Sequence, residues 1–228
     1  MRSIDDNLQA VKDRIARAAK AAGRDPASVT LLAVSKTHPA ALIEQAYAAG
    51  QRAFGENYVQ EAVEKMDALP RQDIEWHLIG PLQSNKTRVV TGRFAWVHTV
   101  DSERIARRLS GHRSGNLPAL NVLIQVNVSG EATKSGVAPA EAEALSLSVS
   151  KMPRLKLRGL MAIPEPGAGR ERYRELKGLY DRLKDPCRFD TLSVGMSEDL
   201  ELAIAEGATM VRIGTAIFGA RDKVRDAA

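Results

Sequence analysis

Short runs of apolar and β-branched residues alternate along the chain with longer stretches whose apolar positions recur every three or four residues, the pattern of strand–helix units on a parallel sheet. Eight runs stand out. They predict strands over 29–35 (VTLLAVS), 52–54 (RAF), 75–79 (EWHLI), 95–99 (AWVHT), 120–128 (LNVLIQVNV), 157–163 (LRGLMAI), 189–194 (FDTLSV) and 210–213 (MVRI). Between them the pattern predicts helices near 39–49, 57–68, 84–91, 101–110, 138–150, 168–184 and 198–206, and a short one from about 215. An amphipathic, charged helix precedes them all in MRSIDDNLQAVKDRIARAAKAAG. Eight strands each followed by a helix close naturally into a barrel, so the expected α/β fold is a single (β/α)8 TIM barrel over residues 1–228 with one extra N-terminal helix. The competing open doubly wound sheet would place a glycine-rich dinucleotide turn after its first strand, where this chain has SKTHP.

Composition narrows the class. With 228 residues, 44% of them hydrophobic and 27% charged, the chain can bury one large core and shows no bias toward disorder or a disulfide scaffold. No apolar run nears the roughly 20 residues that span a bilayer, and the first helix lacks the apolar centre of a signal peptide, so no membrane partner and a cytoplasmic location are expected. Cys187 is the only cysteine, which excludes an internal disulfide. His38, His77, His98 and His112 do not cluster with acids at metal-ligand spacing, and no metal is expected. The net charge of +5 is scattered over helices and interleaved with acids, as in ERIARRL, which argues against nucleic acid and suits attraction of a phosphorylated small molecule.

Barrel active sites lie at the C-terminal ends of the strands, and Lys36 ends the first of them. The loops after strands 7 and 8, where many barrels bind phosphate, read GMSED and RIGTAIFG. Here Ser197 is expected as an N-cap and Thr215 as a helix start; both hydroxyls can donate to phosphate, and Gly214 permits close backbone approach. Ordinary helix capping is the alternative, and Glu198 and Asp199 favour it by already offsetting the helix dipole. A lysine facing a phosphate cradle suits a Schiff base with pyridoxal 5'-phosphate (PLP), with Arg212, on the same strand face as Gly214, reaching the pyridine nitrogen.

AVSKTHP, FGENYVQE, WHLIGPLQSNK, LSVGMSEDLELAI and VRIGTAIFG, in this order, resemble the pyridoxal phosphate homeostasis protein family, the alanine racemase N-terminal-domain-like PLP-binding proteins. The resemblance covers about residues 5 to 222. It implies a fold type III PLP-binding barrel, Lys36 as the Schiff-base lysine, Ser197, Gly214 and Thr215 as phosphate anchors and Arg212 as the partner of the ring nitrogen. It also implies that Asn57 and His77 line the pocket, although for His77 a satisfied core histidine on strand 3 is an equal reading. Lys134 is either a second basic group near the mouth or a solvated loop lysine, and Met161 and Met196 either pack near the ring or fill core.

Arginine stays charged and cannot accept a hydrogen bond, so Arg212 would keep the ring nitrogen unprotonated and the cofactor a weak electron sink. The chain ends at Ala228 soon after the last strand, and the C-terminal β domain and tyrosine base of alanine racemases are expected to be missing. The first functional reading is thus a non-catalytic protein, expected to be a monomer, that buffers PLP or delivers it to apo-enzymes. A slow or narrow PLP-dependent amino-acid racemase and a barrel for another phosphorylated metabolite are the rivals.

Overall fold

The computed structural model describes residues 3–131 and 135–220. Among them β1 (Thr30–Val34), β2 (Ala53–Glu56), β3 (Glu75–Leu78), β4 (Trp96–Val100), β5 (Leu120–Gln125), β6 (Leu155–Met161), β7 (Thr191–Ser193) and β8 (Met210–Ile213) form a parallel sheet. It closes in sequence order, with β8 pairing back onto β1. Helices α2 (Ala40–Ala48), α3 (Val59–Ala68), α4 (Thr87–Arg93), α5 (Glu103–His112), α6 (Pro139–Val149), α7 (Arg170–Cys187), α8 (Leu200–Ala205) and α9 (Thr215–Phe218) follow the strands in turn, and α1 (Ile4–Ala21) precedes them. This is the (β/α)8 barrel that the alternation predicts.

Local chemistry explains the first helix. Ser3 Oγ accepts the amide of Asp6 at 3.1 Å while Asp6 accepts the amide of Ser3, a reciprocal cap that satisfies otherwise orphaned donors. Leu8, Val11, Ile15, Ala18 and Ala19 then bury one face against the barrel, the helical spacing read from the sequence. Most of the apolar core lies between the strands and this ring of helices. Inside the barrel, Leu32, Ile79 and Met210 fill one side and Trp96, Leu123 and Met161 another, so Met161 is core filler.

The differences from the predicted elements are local. β5 stops at Gln125, because Asn127 turns the chain by accepting the amide of Gly130 at 3.1 Å. α3 begins at Val59 and not at Asn57, and α4 is preceded by a 3-10 turn at Ser84–Lys86. α8 begins at Leu200 with Asp199 as its N-cap, so Ser197 sits in the preceding turn and does not cap. The cause is Asp199, whose carboxylate accepts the amide of Met196 at 2.5 Å and the hydroxyl of Tyr173, which pins the turn ahead of the helix.

Candidate functional site

A cavity of about 750 Å3 opens where the βα loops converge at the C-terminal ends of the strands. Lys36, Asn57, Ser197, Arg212, Gly214 and Thr215 all line it. Four segments deliver them, the loops after β1, β2 and β7 and the run from the end of β8 into α9. The register that closes the barrel pairs Leu32 with Arg212 and Ala33 with Ile213, which brings the Lys36 loop beside the loop of Gly214 and Thr215. At Gly214 a Cβ would stand 3.0 Å from the Val34 carbonyl oxygen, a tight contact that glycine relieves at this crossing. At Gly195 the backbone takes φ +102° and a Cβ would stand 2.5 Å from Ala203 Cβ, so the turn carrying Ser197 depends on glycine as well.

His77 is not among the cavity walls. Strand alternation turns it into the barrel interior below them, where it is fully buried and stacked on Trp96 with ring centroids 5.0 Å apart. Its Nε2 lies 3.0 Å from Glu75 and its Nδ1 2.9 Å from His98. The structure therefore places His77 with the core. Met196, by contrast, lines the cavity and is 41% exposed. Lys134 lies outside the described residues.

The loop bearing Lys36 is held by residues that the sequence reading did not single out. Ser35 Oγ donates to Glu56 at 2.6 Å, and the amide of Thr37, at a positive φ of 66°, donates to Glu61 at 2.6 Å. Lys65 Nζ ties these together, 2.8 Å from the Ser35 carbonyl, 2.7 Å from Glu56 and 2.6 Å from Glu61. Burial pushes the Glu56 carboxyl above its ordinary range, and Lys65 opposes that shift. In sequence, Glu61 and Lys65 are an i, i+4 pair of the kind that decorates helix surfaces. Only the packing of α3 against the β1 loop makes the pair part of the site.

α1 braces the other wall. Arg14 forks onto Glu201 at 2.7 and 2.8 Å and donates to the Ser197 carbonyl at 3.1 Å, while Asn7 donates to the Ile217 carbonyl of α9 at 3.0 Å. Asn7 and Arg14 are one heptad apart and share a helix face, a signal visible in the sequence but without a partner to interpret it.

The donor set fits PLP. Arg212 is buried; its Nη1 donates to the Ser193 carbonyl at 2.8 Å and the Ser193 hydroxyl at 2.9 Å, and its Nη2 donates to the Ala162 carbonyl at 2.9 Å. Burial brings its pKa down to about 10, which leaves it charged at neutral pH. Three of the four acids that line the cavity are engaged elsewhere, Glu198 being the fourth. Asp199 holds Met196 and Tyr173, Glu201 holds Arg14, and Glu165 accepts from Ser129 at 2.7 Å and is thereby held down to about 2. Asp199 is the N-cap of α8 with its carboxylate held by the Met196 amide and the Tyr173 hydroxyl, and Glu198 beside it lines the cavity.

Comparison with known proteins agrees with this picture. The family model for the alanine racemase N-terminal domain matches residues 7–222. A pyridoxal phosphate homeostasis protein of Pseudomonas aeruginosa is 58% identical over 224 residues, 97% of either chain. One from Escherichia coli is 54% identical over 230 residues, 97% of this chain and 98% of that one. The solved structure of PipY from Synechococcus elongatus with PLP bound superposes with a TM-score of 0.83 at 38% identity, covering 95% of this chain and 100% of that one. An alanine racemase from Corynebacterium glutamicum reaches a TM-score of 0.68 at 18% identity, covering 96% of this chain and 63% of that one, a likeness of fold alone. Among the described residues no helix is long and apolar enough to cross a membrane.

Proposed function

The chain belongs to the alanine racemase N-terminal-domain family, and from that premise we propose that it is a PLP-binding protein of PLP homeostasis, holding the cofactor on Lys36 and buffering or delivering it without turnover. The observation that carries this reading is the convergence, on one cavity, of a strand-end lysine, a buried guanidinium and two hydroxyls beside a glycine crossing. Lys36 would hold the cofactor through its ε-amine, which reacts with an aldehyde only in its uncharged form and releases water in doing so. Ser197 and Thr215 donate to the phosphate at the Gly214 crossing, Arg212 meets the ring nitrogen, and Asn57 closes the wall near Lys36.

PLP bound at such a site supplies a carbonyl for reversible capture of amines and an electron sink for bonds at the captured carbon. Arg212 limits the second role. It donates only, keeps its charge at neutral pH, and so favours a ring nitrogen without a proton. That favours holding over turnover, in line with the names of the relatives at over 50% identity. The recipients are taken to be apo-enzymes that use PLP, and the protein itself to be a monomer.

The test is to load the protein with PLP, reduce it with borohydride and map the labelled peptide. The label is expected on Lys36, and Lys36→Ala is expected to abolish the visible imine absorption while leaving the fold intact. A label chiefly on Lys86 or Lys134 overturns the assignment. Incubation with L- and D-alanine tests the second half of the proposal: sustained racemisation that Lys36→Ala removes would establish the racemase reading instead.

A further inference from the structure

A continuous line of side chains crosses the barrel interior from its lower rim to the cavity floor. Glu75, half-exposed at the start of β3, lies 3.0 Å from His77 Nε2; His77 Nδ1 lies 2.9 Å from His98 Nε2; His98 Nδ1 lies 3.2 Å from Ser193 Oγ; and Ser193 Oγ lies 2.9 Å from Arg212 Nη1. Both imidazoles are fully buried, and the strands that contribute the line are β3, β4, β7 and β8.

The ends of this line determine the direction of every bond in it. A carboxylate only accepts and a guanidinium only donates. Burial lowers the pKa of both histidines, His98 the further with His77 and Arg212 beside it, so each ring carries one proton at neutral pH. Glu75 therefore requires the proton of His77 on Nε2. His77 Nδ1 is then an acceptor and takes the proton of His98 Nε2. His98 Nδ1 is in turn an acceptor, so the Ser193 hydroxyl points its hydrogen at His98 and presents its lone pairs to Arg212. All four bonds run one way, from Arg212 outward to Glu75, and no reversal of a single ring satisfies both ends.

We propose that Glu75, His77, His98 and Ser193 form a one-way hydrogen-bond relay that positions Arg212 at the cavity floor and thereby fixes how its guanidinium meets the ring nitrogen of bound PLP. The proposal rests on the cofactor assignment above. Its four members are positioning residues, since none of them lines the cavity. With its hydrogen committed to His98, the Ser193 hydroxyl stays an acceptor for Nη1 alongside the Ser193 and Ala162 carbonyls, and three fixed acceptors hold the guanidinium plane. Were the hydroxyl free to rotate, its hydrogen could face the cation and the plane would lose one of its three anchors.

The relay can be read directly in the PLP-free protein by 15N NMR of labelled histidines. Both His77 and His98 are expected as neutral Nε2–H tautomers at pH 7, and either ring found as Nδ1–H or as imidazolium overturns the relay. Its effect on the cofactor is read from the position of the imine absorption and from PLP affinity. Loss of one hydrogen bond to a charged group predicts that Ser193→Ala displaces the absorption maximum and weakens PLP about tenfold, with Ser193→Thr restoring both. Glu75→Ala, at the exposed end, is expected to mix the tautomers of His77 and to weaken PLP by a smaller factor in the same direction. A packing role alone would lower stability without moving the absorption. If Ser193→Ala and Glu75→Ala both match the wild type in band and affinity, the proposal fails. Failure of the wild-type chain to form any imine would overturn the cofactor assignment, and the tautomers, measured without PLP, would still judge the relay separately.

Discussion

Lys36 and Arg212 face the same cavity, yet the structure behind one is ionic and the structure behind the other neutral. Behind Lys36 stand Glu56, Glu61 and Lys65, with the Lys65 ammonium 2.7 and 2.6 Å from the two carboxylates. Behind Arg212 stand two carbonyls, a hydroxyl and two neutral imidazoles, and the nearest carboxylate along that line is Glu75 at the far rim. The contrast follows from what each cation must do. The Lys36 side can neutralise its buried charges internally, because its task is to fix a backbone loop. Among the described residues no carboxylate is bonded to the Arg212 guanidinium, Asp199 acting on it only through space, which leaves that charge available to a ligand, and the low-dielectric interior disfavours any further proton on His77 or His98.

The comparison breaks most severely at the ionic cluster. Lys65→Met leaves Glu56 buried without its cation and is expected to cost about 3–5 kcal/mol of stability in urea unfolding, the usual penalty for an orphaned buried charge. A loss below about 1 kcal/mol would mean that the cluster does not behave as a buried pair. The neutral column is expected to respond to pH. His77 and His98 have folded pKa values below 6.5, so their full contribution is present above that value. As pH falls through 6.5 the unfolded chain takes up protons that the folded chain refuses, and stability drops. Stability is therefore expected to be lower at pH 5.5 than at pH 7.5, with the larger share from His98, whose pKa is depressed further than that of His77. Replacing His98 by Gln should remove one share of that slope, and a flat stability profile between the two pH values contradicts the neutral column.

The smallest effect sharpens the comparison at the ligand itself. Ser197→Ala or Thr215→Ala is expected to weaken PLP by roughly tenfold or more, since a hydrogen bond to a charged group contributes about 1.5–3 kcal/mol, while pyridoxal, without phosphate, should change little. Equal losses for PLP and pyridoxal would show that the hydroxyls shape the loops and do not contact phosphate.

Much of this molecule was legible in its sequence. The apolar runs at 29–35 and 120–128 and the helical spacing of Leu8, Val11 and Ile15 depend on local periodicity, which a barrel of strand–helix units repeats without exception. Lys36, Arg212, Gly214 and Thr215 could be found as residues at strand ends, because in such a barrel every strand end is a potential cavity wall. Element boundaries were less legible: Asp199 displaced Ser197 from the cap of α8 by bonds to Met196 and to Tyr173, and the second partner lies in another helix.

Side-chain depth was not legible at all. Alternation along β3 puts His77 on an inward face, but whether an inward residue reaches the cavity or stops short of it depends on the tilt and stagger of the closed sheet. The pairing of Ser193 with Arg212, the Glu56–Lys65 cluster beside Ser35, and Arg14 on the Ser197 carbonyl each join segments that are distant in sequence or read locally as ordinary surface charge. Sequence by itself determined the repeating units and the chemical types at their ends, because those follow from local spacing. Tertiary structure decided which polar groups meet, because in a closed barrel their partners are supplied by whichever strands and helices the register brings within about 3 Å, the range over which a hydrogen bond forms.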